Sequence, residues 1–283
     1  MDLSPATGHS RAEVAVVSLN VAPDSHPTLK YARLGPMAMA SHRRFCSRHG
    51  YAFYDAGPPA TDRHPCWGKI PAILKVLERH RWVLWADSDA IAAEDAPNLE
   101  SLCDPDCDIV TQCPRRFVSD LNPAGNVRFN TAPVNTGVFL TQATPNSIDL
   151  LRRTFAETQF VTKGAIWNGI GDQEAMAAVL LGEQGSRYRV RQVDLLQRHP
   201  GAHCAGNRFL HFYGDRARHH VSSSIVESVL ARWEAAIALG LPLPADRGLF
   251  HWCCIQNKSA EAAFHRGDPE RFLYDPGFIE TAT

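Results

Sequence analysis

One strand-like run ends in two acidic residues, and this feature constrains the fold of the chain more than any other. The apolar, aromatic segment Trp82–Ala86 has the composition of a buried strand, and Asp87 and Asp89 follow it directly. Side chains two residues apart on an extended chain point the same way, so both carboxylates can face one ligand. Carboxylate oxygens at the carboxyl end of a strand suit a hard divalent cation such as Mg²⁺ or Mn²⁺. The sequence therefore predicts a site for a metal and a diphosphate, of the kind that a nucleotide sugar carries.

An Asp-x-Asp pair is a weak signal by itself, because short acidic patterns arise by chance. The segment from Asp104 to Asp108 contains two further pairs, in a Pro-containing stretch that is typical of a solvated loop. The pair at Asp87 differs because it follows a strand-like run immediately. Its position, rather than its composition, makes it a candidate site.

Strand-like and helical patterns alternate along the first half of the chain. We predict strands at residues 13–19, 51–55, 82–86 and 108–112. Two helical patterns lie between them: one that Pro36 can start and that reaches about residue 48, and another around 69–77. This alternation predicts an α/β fold with a mainly parallel central sheet and helices on both faces. In the second half we predict strands at 135–140, 188–193 and 208–212, a helix capped by Thr144, a helix with Asp172 as N-cap, and a helix from Ser224 to about Leu239.

Bulk composition excludes several classes of protein. The formal net charge is −1, so a nucleic-acid partner, which needs a broad basic surface, is not expected. No apolar run approaches the roughly 18–20 residues that span a bilayer, and the first residues lack the hydrophobic core of a signal peptide. We therefore expect a cytoplasmic protein without a transmembrane segment. The 8 cysteines include no paired Cys-x-x-Cys knuckles, which favours free thiols over structural zinc.

Several short motifs occur in an order that resembles one enzyme family. They are Trp67-Gly68-Lys69-Ile70, Trp85-Ala86-Asp87-Ser88-Asp89-Ala90, Asn135-Thr136-Gly137-Val138-Phe139, Asp172-Gln173, His211-Phe212-Tyr213-Gly214, and Tyr51 after Arg48-His49-Gly50. Over about residues 14 to 214 the chain resembles the galactosyl-, mannosyl- and xylosyltransferases of glycosyltransferase family 34. The resemblance implies a GT-A type fold, a Mn²⁺ (or Mg²⁺) ion, a nucleotide-diphosphate sugar as donor, and retention of configuration at the sugar. The acceptor would be a carbohydrate or another hydroxyl compound.

The resemblance also implies a role for each matched position. Asp87 and Asp89 would hold the metal and, through it, the donor diphosphate, with His211 as a further ligand. The other donor-binding positions would be Lys69, Ser88, Asn135, Gly137 and Gly214. Asp172 and Gln173 would sit at the reacting carbon. The implied GT-A domain covers 12–222, with a donor half of about 12–112 and an acceptor half of 113–222, and 223–283 would be a helical C-terminal extension packed on it.

The chain departs from the pattern of related enzymes after the histidine-glycine element. Those enzymes often place a phosphate-binding lysine there, whereas this chain has Asp215-Arg216-Ala217-Arg218. A guanidinium can bind phosphate in a bidentate way, so Arg216 or Arg218 is the expected phosphate clamp.

The same residues also permit plainer interpretations. Lys69 could be a solvated residue at a helix start, Asp172 could serve only as a cap, and His211 could be a core histidine. Trp82 and Trp85 are expected to pack in the core. Two other functions stay open: a metal-dependent phosphatase with Asp87 as nucleophile, and a non-catalytic module that binds nucleotide sugars or carbohydrates. Such phosphatases place the acidic pair after their first strand, whereas here it follows the third predicted strand.

Overall fold

The computed structural model describes residues 13–21, 30–58, 63–112, 134–161, 171–193, 195–198 and 206–212, together with positions 235 and 239. The helix predicted from Ser224 and the C-terminal extension lie outside the described residues, apart from those two positions. The predicted boundaries at residues 12, 112 and 222 therefore stay predictions. None of the helices in this described part has the length and hydrophobicity that crossing a bilayer requires.

Strands and helices alternate through the first half of the chain, as predicted. The elements are β1 (Val14–Ser18), α1 (Lys30–His49), β2 (Ala52–Asp55), α2 (Lys69–Leu77), β3 (Trp82–Ala86), β4 (Ala90–Ala92), β5 (Ile109–Thr111), β6 (Val138–Gln142), α3 (Pro145–Ala156), α4 (Asp172–Leu181), β7 (Val190–Gln192), β8 (Gln197–Arg198) and β9 (Phe209–His211).

Six strands form a central sheet in the order β2-β1-β3-β6-β5-β7. The strand β6 runs antiparallel to both of its neighbours, and the other pairs are parallel. The predicted α/β fold with a mainly parallel sheet is therefore confirmed. The reversed direction of β6 was not predicted, because a buried apolar run reads the same in either direction along a sheet.

Two hydrophobic cores cover the two faces of the central sheet. On one face, α1 contributes Phe45 against Trp82 and Leu84 of β3. On the other, α2, α3 and α4 pack against the side chains that alternate with these, such as Val83 and Trp85. The period of two along a strand sends successive side chains to opposite faces. Helices on both faces of the sheet are confirmed, and both tryptophans lie in the core as expected.

A second, smaller sheet was not predicted, and it positions the candidate site. It has the order β4-β9-β8, with β4 antiparallel and β8 parallel to β9. Strand β4 begins directly after Asp89, and its first residue, Ala90, pairs with His211 of β9. Strands of two or three residues are too short to show a hydrophobic period in sequence. This pairing is what brings His211 beside the acidic pair.

The first helix begins earlier than its proline suggests. The sequence predicts a start at Pro36, but α1 begins at Lys30 and includes Pro36. Proline removes one helical hydrogen bond and is disfavoured inside a helix. Here Leu34 and Met37, on either side of it, are fully buried, and this burial favours continuing the helix. The N-cap of α4 also differs from prediction, because it is Gly171 rather than Asp172.

Two adjacent residues of α1 hold strand β4 by its backbone. Ser41 Oγ accepts a hydrogen bond of 3.0 Å from the N–H of Ala92, and His42 Nε2 lies 2.6 Å from the carbonyl oxygen of Ala90. A carbonyl oxygen can only accept, so Nε2 carries the proton. The other ring nitrogen, Nδ1, is buried without a hydrogen-bond partner among the described residues. Burial lowers the pKa of His42 to about 4.

The buried His42 is expected to make stability depend on pH in the mildly acidic range. Its pKa falls from 6.5 to about 4 on folding, so between these values the unfolded chain binds a proton that the folded chain excludes. The contribution is fully present above about pH 6.5 and is lost as the pH falls towards 4, up to roughly 3 kcal/mol. Urea unfolding of the wild type and of His42→Gln across this range would measure it. The glutamine keeps an N–H donor but does not titrate, so equal pH slopes for the two proteins would contradict the assignment.

Candidate active site

Two carboxylates and one imidazole converge where β3 ends. The Asp87 N–H donates to the carbonyl oxygen of Gly137 at 2.8 Å, and a turn then returns the Ala90 N–H to the Asp87 carbonyl oxygen at 2.9 Å. This tight turn places Asp89 beside β9. Asp87, Asp89 and His211 each offer one ligand atom, and these atoms all lie within 4.8 Å of one another. Carboxylate oxygens with one imidazole suit Mn²⁺, and the carboxylates alone would suit Mg²⁺. The three residues therefore form a potential metal site.

His211 is held tightly in this cluster. Its Nε2 lies 3.1 Å from Asp89 Oδ1, and the N–H of the next residue, Phe212, donates to the Asp89 carbonyl oxygen at 2.9 Å. The imidazole packs directly on Gly137, where an added Cβ would lie 2.0 Å from His211 Cε1. Glycine is therefore required at 137 to make room for the ring. The resemblance implied a donor-binding role for Gly137, which stays a prediction, whereas the structure shows this steric role.

Two buried side chains that the sequence analysis did not assign to the site support its ligands. Trp85 lies in the core but donates its indole N–H to Asp87 Oδ1 at 2.6 Å. Gln197 places its Oε1 2.6 Å from Nδ1 of His211. The contact of Trp85 could have been anticipated, because Trp85 lies near the end of β3 and only two residues before Asp87. No motif marks Gln197.

Lys69 joins Asp87, a carboxylate of the potential metal site, to Asp172. Its Nζ lies 3.2 Å from Asp87 Oδ1 and 2.9 Å from Asp172 Oδ2, and it donates to the carbonyl oxygen of Thr136 at 2.9 Å. The Asp172 contact is an ion pair that is not aligned as a hydrogen bond. Lys69 and Asp172 expose only 2% and 4% of their side chains. The interpretation of Lys69 as a solvated helix residue is therefore wrong.

The charge of Lys69 is fixed by its partners. Burial alone would lower the pKa of the Lys69 ammonium, but the carboxylates of Asp172 and Asp87 outweigh it and raise the pKa above its usual value. The ammonium donates a hydrogen bond to the carbonyl oxygen of Thr136 and forms ion pairs with the carboxylates of Asp87 and Asp172. In this arrangement Lys69 organises the two carboxylates. A direct contact of Lys69 with the phosphate or the sugar of the donor, as the resemblance implies, would require the ammonium to leave one of these oxygens.

Burial also raises the pKa of the Asp87 carboxyl, and the Lys69 ammonium opposes that rise. The nearby carboxylate of Asp89 adds to the rise. A divalent cation bound between the two carboxylates would favour their charged forms.

Asp172 is the first residue of α4, at the positive end of the helix. Its N-cap neighbour Gly171 donates its N–H to Glu174 Oε2 at 2.8 Å, so the glutamate caps the helix and the Asp172 carboxylate remains turned towards Lys69. A negative charge is favourable in this first turn. The Cys66 thiol lies against Asp172, and burial and that carboxylate raise the pKa of the thiol well above its usual value. Asp172 is thus held inside the site rather than used as the N-cap that the sequence suggested.

The remaining described candidates border the same space. Asn135 Oδ1 accepts the N–H of Gly137 at 2.9 Å, and Gln173 Oε1 accepts the N–H of Thr136 at 3.3 Å. Both side chains therefore shape the segment that precedes β6. Ser88 lies between the two acidic residues and is buried. Gly214, Arg216 and Arg218 lie outside the described residues, so their predicted contacts with phosphate stay predictions.

Comparison with known proteins gives a match in fold only. No protein-family model matches the chain, and no curated protein matches its sequence. Among solved structures, the chain is similar to a glycosyltransferase involved in glycosylation of the major capsid of PBCV-1, with a TM-score of 0.51 and 19% identity, covering 73% of this chain and 97% of that one. The match to glycosyltransferase GlyE of Streptococcus pneumoniae TIGR4 has a TM-score of 0.41 and 12% sequence identity, and it covers 83% of this chain and 66% of that one. The match to Drosophila β1,4-galactosyltransferase 7 in complex with xylobiose has a TM-score of 0.38 and 10% sequence identity, and it covers 73% of this chain and 72% of that one.

The chain therefore has the mixed α/β architecture of GT-A glycosyltransferases, as the sequence predicted. The similarity to the PBCV-1 protein, at 19% identity, shows this fold alone. The other two similarities, with TM-scores below 0.5, carry no argument about this chain. Membership of glycosyltransferase family 34 stays a prediction.

Proposed function

We propose that this chain is a metal-dependent, retaining glycosyltransferase that moves a hexose or pentose from a nucleotide-diphosphate sugar to a carbohydrate or other hydroxyl acceptor. One observation carries the proposal: Asp87, Asp89 and His211 converge at the carboxyl end of a central strand, and Lys69 ties this cluster to Asp172. Ligands of open α/β sheets bind at this end of the strands. The fold supports the proposal, since it is that of GT-A enzymes.

Each residue of the cluster has a distinct part in this proposal. Asp87, Asp89 and His211 would hold a Mn²⁺ or Mg²⁺ ion, which when bound supplies positive charge to a leaving diphosphate. Lys69 places one positive charge between Asp87 and Asp172, because its ammonium lies 3.2 Å from an oxygen of the first and 2.9 Å from an oxygen of the second. Asp172 and Gln173 would orient the hydroxyls of the donor sugar. Such groups lower the barrier because they are held in place before charge develops.

Retention of configuration at the sugar carbon requires one of two routes. Either the enzyme forms a covalent intermediate with the sugar, or the acceptor attacks the sugar from the same face that the diphosphate leaves. A carboxylate nucleophile would have to be Asp172 or a neighbouring residue, and among the described residues the Asp172 oxygen is engaged by the buried Lys69 ammonium. This engagement weakens it as a nucleophile and supports the same-face route. In that route the bond between the sugar carbon and the diphosphate oxygen breaks, and the acceptor oxygen bonds to that carbon. The acceptor proton passes to the departing phosphate oxygen.

A screen of nucleotide sugars by thermal shift, with Mn²⁺ and with EDTA, tests the proposal. A ligand at 100 times its Kd that binds only the folded state stabilises it by about 2.7 kcal/mol. We expect stabilisation by a nucleoside diphosphate and its sugar, in Mn²⁺ only. NMR of the product formed from the best donor should show the donor's own anomeric configuration. Binding without turnover on any acceptor would instead favour the non-catalytic module, and hydrolysis of phosphomonoesters would favour the phosphatase.

Gln173→Ala is expected to lower kcat by about 10- to 1000-fold while the donor affinity changes little. The amide is a poor nucleophile but a good hydrogen-bonding partner for a positively polarised sugar, and such contacts matter most in the transition state. Steady-state kinetics with the donor varied would separate kcat from KM. The exposed Gln184, which accepts a hydrogen bond from Arg153 away from the site, provides the control Gln184→Ala. A covalent sugar adduct on Asp172, or an inverted product, would overturn the same-face route.

A further inference from the structure

Gln197 joins two strands that carry opposite sides of the candidate site. Its side chain is buried, with 2% exposed. The amide Nε2 donates to the carbonyl oxygen of Val138 on β6 at 2.8 Å, while Oε1 lies 2.6 Å from His211 Nδ1 on β9. The Gln197 backbone N–H in turn donates to Gln112 Oε1 at 2.9 Å. The position and direction of this one amide are therefore fixed from several sides.

The direction of the amide decides where the proton of His211 lies. Because Nε2 of Gln197 faces a carbonyl oxygen, the opposite end of the amide, Oε1, must be the atom that meets the imidazole. A carbonyl oxygen only accepts, so Nδ1 of His211 carries a proton. In the neutral ring the lone pair then sits on Nε2, the nitrogen that faces Asp89. This is the nitrogen that a cation between the carboxylates would meet.

The imidazole is also fixed in orientation, which is the second requirement for a ligand. One side of the ring packs on Gly137, where even a Cβ would not fit, and Gln197 holds its far edge. Side chains that bond the distal nitrogen of a metal-binding histidine set its tautomer and its direction. A neutral amide does so here without adding a third negative charge next to Asp87 and Asp89.

We propose that Gln197 is a positioning residue of the metal site, which locks His211 in the Nδ1–H tautomer with Nε2 directed at the cation. The inference rests on the proposed function, because it assumes that His211 binds a metal ion. Loss of such an outer contact typically weakens metal affinity by about 10- to 100-fold. Gln197→Leu removes both side-chain hydrogen bonds at similar volume, so Mn²⁺ affinity should fall by that factor. Gln197→Glu keeps an acceptor for Nδ1–H and should restore most of the affinity.

Calorimetric titration of the full chain with Mn²⁺ compares the wild type with both variants. A Gln197→Leu protein that binds Mn²⁺ within about twofold of the wild type would overturn the inference. A wild type that binds no Mn²⁺ would instead overturn the proposed metal site, so the two failures are distinguishable. Equal losses in the leucine and glutamate variants would also count against the tautomer lock, because they would indicate only a packing role.

Nitrogen-15 NMR of the wild type with labelled histidines reports which ring nitrogen of His211 carries the proton. This measurement does not depend on whether the Gln197 variants fold. In the neutral form of its ring, His211 should show a protonated Nδ1 and an unprotonated Nε2. Its signal is identified by its absence in His211→Gln. A ring protonated at Nε2 instead would overturn the inference even if neither Gln197 variant is stable.

Discussion

Lys69→Met is expected to destabilise the fold by about 3–5 kcal/mol, which is the typical cost of removing one partner from a buried ion pair. The Lys69 Nζ stands between Asp87 and Asp172, and both Lys69 and Asp172 are almost fully buried. Methionine preserves most of the packing volume but leaves two carboxylates near each other without a counter-charge. Urea unfolding in EDTA would measure the loss, since EDTA keeps a metal ion from replacing the ammonium.

Two further variants separate this electrostatic effect from general damage. The exposed ion pair between Arg43 and Asp55 leaves 54% and 47% of the two side chains accessible, so Arg43→Met should cost less than about 1 kcal/mol. Adding Asp172→Asn to Lys69→Met removes one of the orphaned charges and should recover a substantial part of the loss. A Lys69→Met protein as stable as the wild type would show that the bridge contributes nothing to the fold.

The parts of the fold that the sequence predicts are those with a local signal. Strand β3 and its two acidic residues form one continuous pattern, and the helix at 69–77 has apolar residues at helical spacing, so both are found where expected. The early start of α1 and the reversal of β6 depend on burial against distant residues. A local sequence pattern carries no information about such contacts, so neither feature was predicted.

The candidate site likewise has residues that the sequence predicted and contacts that it did not. Asp87 and Asp89 are neighbours in sequence, and the order of short motifs added His211, Lys69 and Asp172. What the sequence did not indicate is how these residues reach one another. Pairing of Ala90 with His211 brings the three potential metal ligands together, and the bridge through Lys69 joins them to Asp172. A lone glutamine such as Gln197 has no motif, so its place against His211 emerges only from the three-dimensional arrangement.

Asp89→Asn is expected to abolish Mn²⁺-dependent binding of nucleoside diphosphates and to lower turnover by about 1000-fold or more. The substitution keeps the shape of the side chain but removes the charge of a ligand atom that lies 3.1 Å from His211 Nε2. Without that charge the cation loses affinity, and the charge that builds on the leaving diphosphate is no longer neutralised. Calorimetry with UDP and with GDP, in Mn²⁺ and in EDTA, would measure the effect directly.

The chain offers a matched control for this substitution. Asp106 belongs to another Asp-x-Asp pair, with Asp104, but lies exposed in a turn, so Asp106→Asn changes the same formal charge away from the site. The nucleotide affinity of Asp106→Asn should equal that of the wild type. The affinity of Asp89→Asn measured in Mn²⁺ should fall to that of the wild type measured in EDTA. Equal nucleotide affinity of the wild type with and without EDTA would eliminate the metal requirement. Unchanged Mn²⁺ dependence in Asp89→Asn would place the ion on other ligands, because a cation held by Asp87, Asp89 and His211 cannot be indifferent to losing one of its two negative charges.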